Sequence, residues 1–221
     1  GAGSEGIMST IMRTFLLSDD ELVSAENSFI GFRVLANASG KRIHWVPMKK
    51  YRYDLEMMAT KITDYTKIIY IANPDNPMGT YVTRKEFDQF YQYVPERVLI
   101  ILDEAYFEFA DEIDDYPDSM TYRYDNVITL RSFSKAYGLG GVRIGYGLAH
   151  DELISNLLKV KVPFEPSFTA QVAGIAALDD PEFLLKTIKA NKQGMKFFKQ
   201  ELNILGVEHI PSAANFITTV W

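Results

Sequence analysis

Arg131-Ser132-Phe133-Ser134-Lys135-Ala136-Tyr137-Gly138-Leu139-Gly140-Gly141-Val142-Arg143-Ile144-Gly145-Tyr146 follows directly on a β-type run, residues 127–130. It sets one lysine among two serine hydroxyls, several glycines and an arginine. Lysine is usually a mobile surface residue, but here it falls where a strand should end. In open α/β folds that edge is where ligands bind. A lysine that reacts as an amine needs a fixed position and an anionic partner. Ser132, Ser134 and Arg143 are the donors a phosphate requires.

Working outward, short apolar runs alternate with helical patterns. Strands are expected at 22–25, 42–46, 67–72, 98–102, 127–130 and 142–148. Helices are expected at 5–17, 29–39, 54–60, 84–93, 151–160, 168–178 and about 181–205. Ile68-Ile69-Tyr70-Ile71 and Val98-Leu99-Ile100-Ile101-Leu102 are continuously apolar, as strands covered on both faces are. The alternation predicts right-handed crossovers and a three-layer α/β/α domain around a mostly parallel sheet. Residues 1–183 are expected to form this domain. Residues 184–221 are read as a connecting helix and the start of a smaller α+β domain, opening with a strand near 215–221. The acidic, Tyr-rich stretch 111–125 reads as a loop.

The chain has 221 residues, 47% hydrophobic and 24% charged, enough for one large core. Its net charge is −6, and basic residues do not cluster, so a nucleic-acid partner is not expected. It has no cysteine, which excludes disulfides and thiolate metal sites. No apolar run reaches the roughly 18–20 residues of a membrane span. His44, His150 and His209 lie far apart and offer no metal-binding pair, and the 111–115 acidic run lacks the spacing of a calcium loop. The first residue is Gly1, and Trp221 ends an apolar run, so both ends read as cuts in a longer protein.

Three strands end in polar residues. One leads into Asn73-Pro74-Asp75-Asn76-Pro77-Met78-Gly79-Thr80, one into Asp103-Glu104-Ala105-Tyr106, and the third into the lysine segment. In a parallel sheet these ends share an edge, so Asn76, Asp103, Tyr106 and Lys135 could meet in one crevice. Each has an ordinary alternative: Asn-Pro as a turn, Asp as a helix cap, Tyr as packing. Their joint order is what singles them out.

That order resembles the fold-type I pyridoxal 5′-phosphate enzymes, in particular the aminotransferases. Finer wording resembles histidinol-phosphate aminotransferase: Gly1-Ala2-Gly3-Ser4, Val94-Pro95, Phe133-Ser134-Lys135-Ala136-Tyr137-Gly138-Leu139, 159–164 and 211–216. Met78, where the family usually has Thr, and Asn27, where it usually has Pro, depart from the pattern. The resemblance implies that Lys135 carries the cofactor and moves a proton, and that Asp103 pairs with the pyridine nitrogen. It gives Asn76 and Tyr106 the ring's phenolic oxygen, and Ser132, Ser134 and Arg143 the phosphate. Ser4 and Glu5 add the N–H groups of a helix start, Phe29 stacks on the ring, and Ala105 leaves room opposite. It also implies a cis Asn76–Pro77 bond, a homodimer, a cytoplasmic location, and an amino donor and 2-oxo acid as substrates.

Other readings remain beside this one. The cofactor residues would be the same in an aromatic or aspartate aminotransferase or in a phosphothreonine decarboxylase. A non-catalytic, cofactor-binding regulatory module is a further possibility, and a fragment of the enzyme would be inactive alone. Gly1–Gly6 also matches Gly-x-Gly-x-x-Gly, but a dinucleotide site needs a strand before it and an acidic residue ending the next.

Overall fold

The computed structural model describes residues 1–122 and 124–221. In chain order the elements are α1 (Gly3–Phe15), β1 (Glu21–Ala25), α2 (Ile30–Ala38), β2 (Arg42–Val46), α3 (Leu55–Thr60), β3 (Thr66–Ala72), α4 (Arg84–Tyr91) and β4 (Leu99–Asp103). They continue with α5 (Phe107–Ala110), β5 (Val127–Ser132), β6 (Gly145–Leu148), α6 (Asp151–Val160), α7 (Phe168–Leu178) and α8 (Pro181–Ile204). The strands form one six-stranded sheet in the order β2-β1-β3-β4-β5-β6. All neighbours are parallel except β5 and β6, which are antiparallel.

Alternation of side chains along the strands divides the core into two layers. Ile69, Ile71, Ile100 and Leu102 pack with Met58 of α3 and with Phe87 and Phe90 of α4. Ile68, Tyr70, Leu99 and Ile101 pack with Met8 and Ile11 of α1, Phe32 of α2 and Leu157 of α6. Both faces of β3 and β4 are therefore buried, which is why those strands read as unbroken apolar runs. The helices begin on side-chain caps where the sequence provides them. Thr83 and Glu86 form a reciprocal capping box at α4, and Asp54, Ser167 and Asp180 cap α3, α7 and α8.

Ala72 stands opposite Asp103, and Asp103 opposite Leu130, so β3, β4 and β5 end on one line. The turn after β3 begins buried and is held by several hydrogen bonds. Asn73 donates its backbone N–H to Asp103 O, and its side chain bonds Val82 in both directions. The hydroxyl of Tyr116 donates to Asn73 O. The Asn76–Pro77 bond is cis, as are Asn73–Pro74 and Glu165–Pro166.

The structure differs from the sequence expectation in four places. The strand expected at 142–148 begins only at Gly145: Gly140–Val142 form a 3₁₀ turn, and Arg143 is left-handed with φ 61°. Four glycines between 138 and 145 make the extended conformation easy to leave. The helix α5 forms at Phe107–Ala110, where no element is expected, and Ser119–Thr121 form a short 3₁₀ turn within the expected acidic loop. That loop includes Arg123, which lies outside the described residues. The strand expected at 215–221 is reduced to a bridge between His209 and Thr219, flanked by two backbone bonds, Ile210 N to Thr218 O and Val220 N to Glu208 O. A strand extends only as far as a neighbour accepts its backbone groups.

One glycine sets the approach of α1 to the sheet. A Cβ on Gly145 would lie 2.8 Å from Arg131 O and 3.0 Å from both Gly3 C and Ser4 N. Those atoms are backbone on both sides and cannot swing away. Gly145→Ala is expected to destabilise the fold by about 1–3 kcal/mol, measured by urea unfolding.

Candidate functional site

The line of strand ends opens into a cavity of about 410 Å³. Ser4, Glu5, Phe29, Asn76, Asp103, Ala105, Tyr106, Ser132, Ser134, Lys135 and Arg143 all line it, so the structure brings every candidate side chain to one place. Tyr70, Ala72, Pro74 and Gly140 line it as well.

Asp103 is the last residue of β4 and is only 3% exposed. Its Oδ2 accepts a hydrogen bond of 2.9 Å from the Tyr70 hydroxyl. Its Oδ1 has no hydrogen-bond partner among the described residues. Burial pushes the carboxyl up to about 6, against the opposing pull of Tyr70, the Ala105 amide and the Lys135 charge. Tyr70 is held in turn by stacking on Phe32, with centroids 4.0 Å apart and rings 5° from parallel. One carboxylate oxygen is thus fixed, and the other is left for a donor.

Opposite, Asn76 Nδ2 donates to the Tyr106 hydroxyl at 2.8 Å, joining the turn after β3 to the turn after β4. The ammonium of half-buried Lys135 lies 5.2 Å from the Tyr106 ring centroid. Phe216 meets that ring edge-to-face, 5.3 Å between centroids and 84° between planes.

Part of the cavity lining is suited to an anion. No side chain caps α1 among the described residues; the Gly3 N–H is taken by Gly1 O at 2.9 Å, and a helix start of this kind offers its next N–H groups to an anion. Arg143 turns back from its left-handed position to donate to Gly140 O at 3.1 Å and, at 3.5 Å, to Ser134 Oγ and Ala2 O. Gly3 has φ +74°, and a Cβ there would come within 2.6 Å of Arg143 Nη2. Ser132 Oγ accepts from the Ser134 N–H at 3.0 Å, which closes the turn leading to Lys135.

Sequence reasoning overlooked Tyr70, whose place inside an apolar run gave no sign of a polar role. It also overlooked the clamp beneath the site. Glu104 Oε2 accepts two bonds from Arg131, 3.1 Å from Nε and 2.9 Å from Nη2, joining the end of β4 to β5. Asp118 Oδ1 takes a third at 2.7 Å, and the guanidinium lies 3.3 Å from the Phe107 ring centroid. The signal available was a paired Glu after one strand and Arg in the next, which spacing alone does not align.

A profile of the aminotransferase class I and II family matches residues 1–220. The chain belongs to that family. Among curated relatives, histidinol-phosphate aminotransferase 2 of Carboxydothermus hydrogenoformans is 39% identical over 219 residues, covering 98% of this chain and 60% of that protein. Histidinol-phosphate aminotransferase of a Geobacillus species is 42% identical, again over 98% of this chain and 60% of the relative. The solved structure of histidinol-phosphate aminotransferase from Sinorhizobium meliloti in complex with pyridoxal-5′-phosphate superposes with a TM-score of 0.92. It is 32% identical and covers 99% of this chain and 60% of that one. The chain spans about 60% of the length of these curated relatives.

The buried carboxyl makes stability depend on pH. Its folded value, about 6, lies above the ordinary 3.8. Folding therefore gains from its protonation at acid pH and loses that gain as pH rises through about 6. Asp103→Asn, studied without added ligand, is expected to raise stability by roughly 2–3 kcal/mol near pH 8 and by less near pH 5, read from melting temperatures at both.

Proposed function

We propose that the chain is the cofactor-binding part of a pyridoxal 5′-phosphate-dependent aminotransferase. The observation that carries this reading is the cavity itself, lined together by Asp103 with an oxygen unpartnered among the described residues, by Lys135, by Arg143 and by the uncapped start of α1. Those features fit the group at both of its polar ends. A protonated pyridine nitrogen would satisfy Asp103 Oδ1, and a phosphate would take the α1 N–H groups, Ser132, Ser134 and Arg143. Tyr106 and Asn76 would face the ring's phenolic oxygen, Phe29 one ring face, and Ala105 the other. When bound, the cofactor supplies an electron sink for the carbon of the amino donor.

The residues then divide the work. Lys135 Nζ would hold the cofactor and, as a free amine, would take the proton from the carbon of the amino donor. Asp103, ionised, would keep the pyridine nitrogen protonated through its Oδ1. Its buried position strengthens that charge pair and costs stability when the partner is missing.

The relatives named histidinol-phosphate aminotransferase support histidinol phosphate as amino donor and 2-oxoglutarate as acceptor, in histidine biosynthesis. On the same likeness we infer a cytoplasmic homodimer. The exposed apolar side chains of α7, Phe168, Val172, Ile175 and Leu178, support a second copy there. We also infer that residues 1–183 are the cofactor domain and that 184–221 lead into a second one. That division accords with α8, 24 residues long and without a fully buried position among those described. By itself the chain would then transaminate little.

Purified protein mixed with pyridoxal phosphate is expected to develop a visible absorption band, and Lys135→Ala to lack it; a band retained in the variant overturns the assignment of Lys135. Arg143→Ala should weaken cofactor binding about 10–100-fold, as loss of a charged phosphate contact does, measured by equilibrium dialysis. A donor panel on the intact parent protein, histidinol phosphate against aromatic and acidic amino acids, tests the substrate. Preference for another donor would leave the cofactor site and remove the histidinol-phosphate reading.

A further inference from the structure

We propose that Ser28, Tyr53 and Asp75 form a positioning hub that sets Phe29 and Asn76 against the ligand; the proposal rests on the cofactor reading above. The three residues come from three connections at the ligand-binding edge of the sheet: β1 to α2, β2 to α3, and β3 to α4. None of them lines the cavity, yet Ser28 directly precedes Phe29 and Asp75 directly precedes Asn76, which do.

The hydrogen bonds run in one direction. Ser28 Oγ donates to Asp75 Oδ1 at 2.6 Å and lies 2.5 Å from Tyr53 Oη. A hydroxyl carries one proton, and that of Ser28 is committed to the carboxylate. Tyr53 must therefore donate to Ser28. Tyr53 in turn accepts the Ala72 N–H at 2.9 Å, next to the buried end of β3. The second oxygen of Asp75 accepts the Met78 N–H at 3.2 Å. The Asp75 backbone closes the same turn, receiving from Gly79 N and donating to Thr80 O, each at 2.8 Å.

Asp75 is fully buried and Tyr53 is 9% exposed. A polar cluster at that depth is costly unless every member is satisfied, so few arrangements of the three loops are tolerated. This is how a structure holds ligand-contacting groups rigidly on loops: their orientation is set by bonds the ligand never touches. Loss of one member frees two loops at once, the one bearing Phe29 and the one bearing Asn76. Both loops carry a residue that lines the cavity, so both the affinity for the ring and the charge state of its phenolic oxygen should respond.

The test compares Ser28→Ala, Asp75→Ala, their double variant, Tyr53→Phe and Ser28→Thr with the unchanged protein. Three quantities are read: melting temperature without cofactor, the dissociation constant for pyridoxal phosphate, and the pH midpoint of the bound cofactor's visible band. The single alanine variants are expected to bind about tenfold more weakly with a displaced midpoint. The double variant is expected to be no worse than the poorer single, since the two act as one unit. Ser28→Thr, which keeps the hydroxyl, should restore both values. A merely structural role would lower the melting temperature and leave the midpoint in place. Where Asp75→Ala does not fold, Ser28→Ala and Tyr53→Phe carry the comparison. Variants that bind normally with an unmoved midpoint, or a strictly additive double variant, overturn the hub. No band in the unchanged protein overturns the cofactor reading first, and the hub with it.

Discussion

The site depends on the parallel pairing of β3, β4 and β5. Because Ala72, Asp103 and Leu130 stand side by side in register, the residues that follow each strand leave the sheet at one edge. The backbone enforces this: Asn73 N bonds Asp103 O, and Glu104 N bonds Leu130 O, both at 2.8 Å. A slip of one residue would turn every side chain of a strand to the opposite face. It would bury Asp103 against a helix layer and tear the Glu104–Arg131 clamp. The two core layers oppose the slip, since each side chain of β3 and β4 is packed against particular helix residues on its own face.

The edge so formed is electrostatically expensive. Asp103 and Asp75 are buried carboxylates, each pushed up to about 6 by burial. Asp75 is provided with donors from Ser28 and Met78, while Asp103 keeps one oxygen unpartnered among the described residues. The contrast is informative. A carboxylate that organises loops is satisfied internally, and one that faces a cavity is left short of a donor. Such local cost, borne by a well-packed frame, is how binding sites are commonly preorganised.

Most of the frame was legible in the chain. Apolar runs gave five of the strands to within a residue or two, and the helices other than α5 followed from their periodicity. The candidate cavity residues were legible because their strand-end positions repeat three times and resemble a known pattern. What was hidden was polar chemistry inside apolar stretches. Tyr70 sits in an unbroken hydrophobic run, Tyr53 and Ser28 in unremarkable connections, and their partners are 33, 25 and 47 residues away. The start of β6 was misplaced for a related reason. Arg143 adopts a left-handed conformation and its guanidinium is bonded to Gly140, Ser134 and Ala2, contacts that no local preference encodes.

The sequence by itself determined the order of strands and helices, the buried character of the central strands and the kinds of side chain at their ends. These follow from local periodicity and from which residues can be buried. Only the tertiary structure decided that β6 runs antiparallel, that α1 presents an uncapped start beside Arg143, and that three separate loops are joined through Ser28. Each of these depends on groups distant in the chain meeting at bonding distance, and that meeting is settled by the packing of the whole sheet.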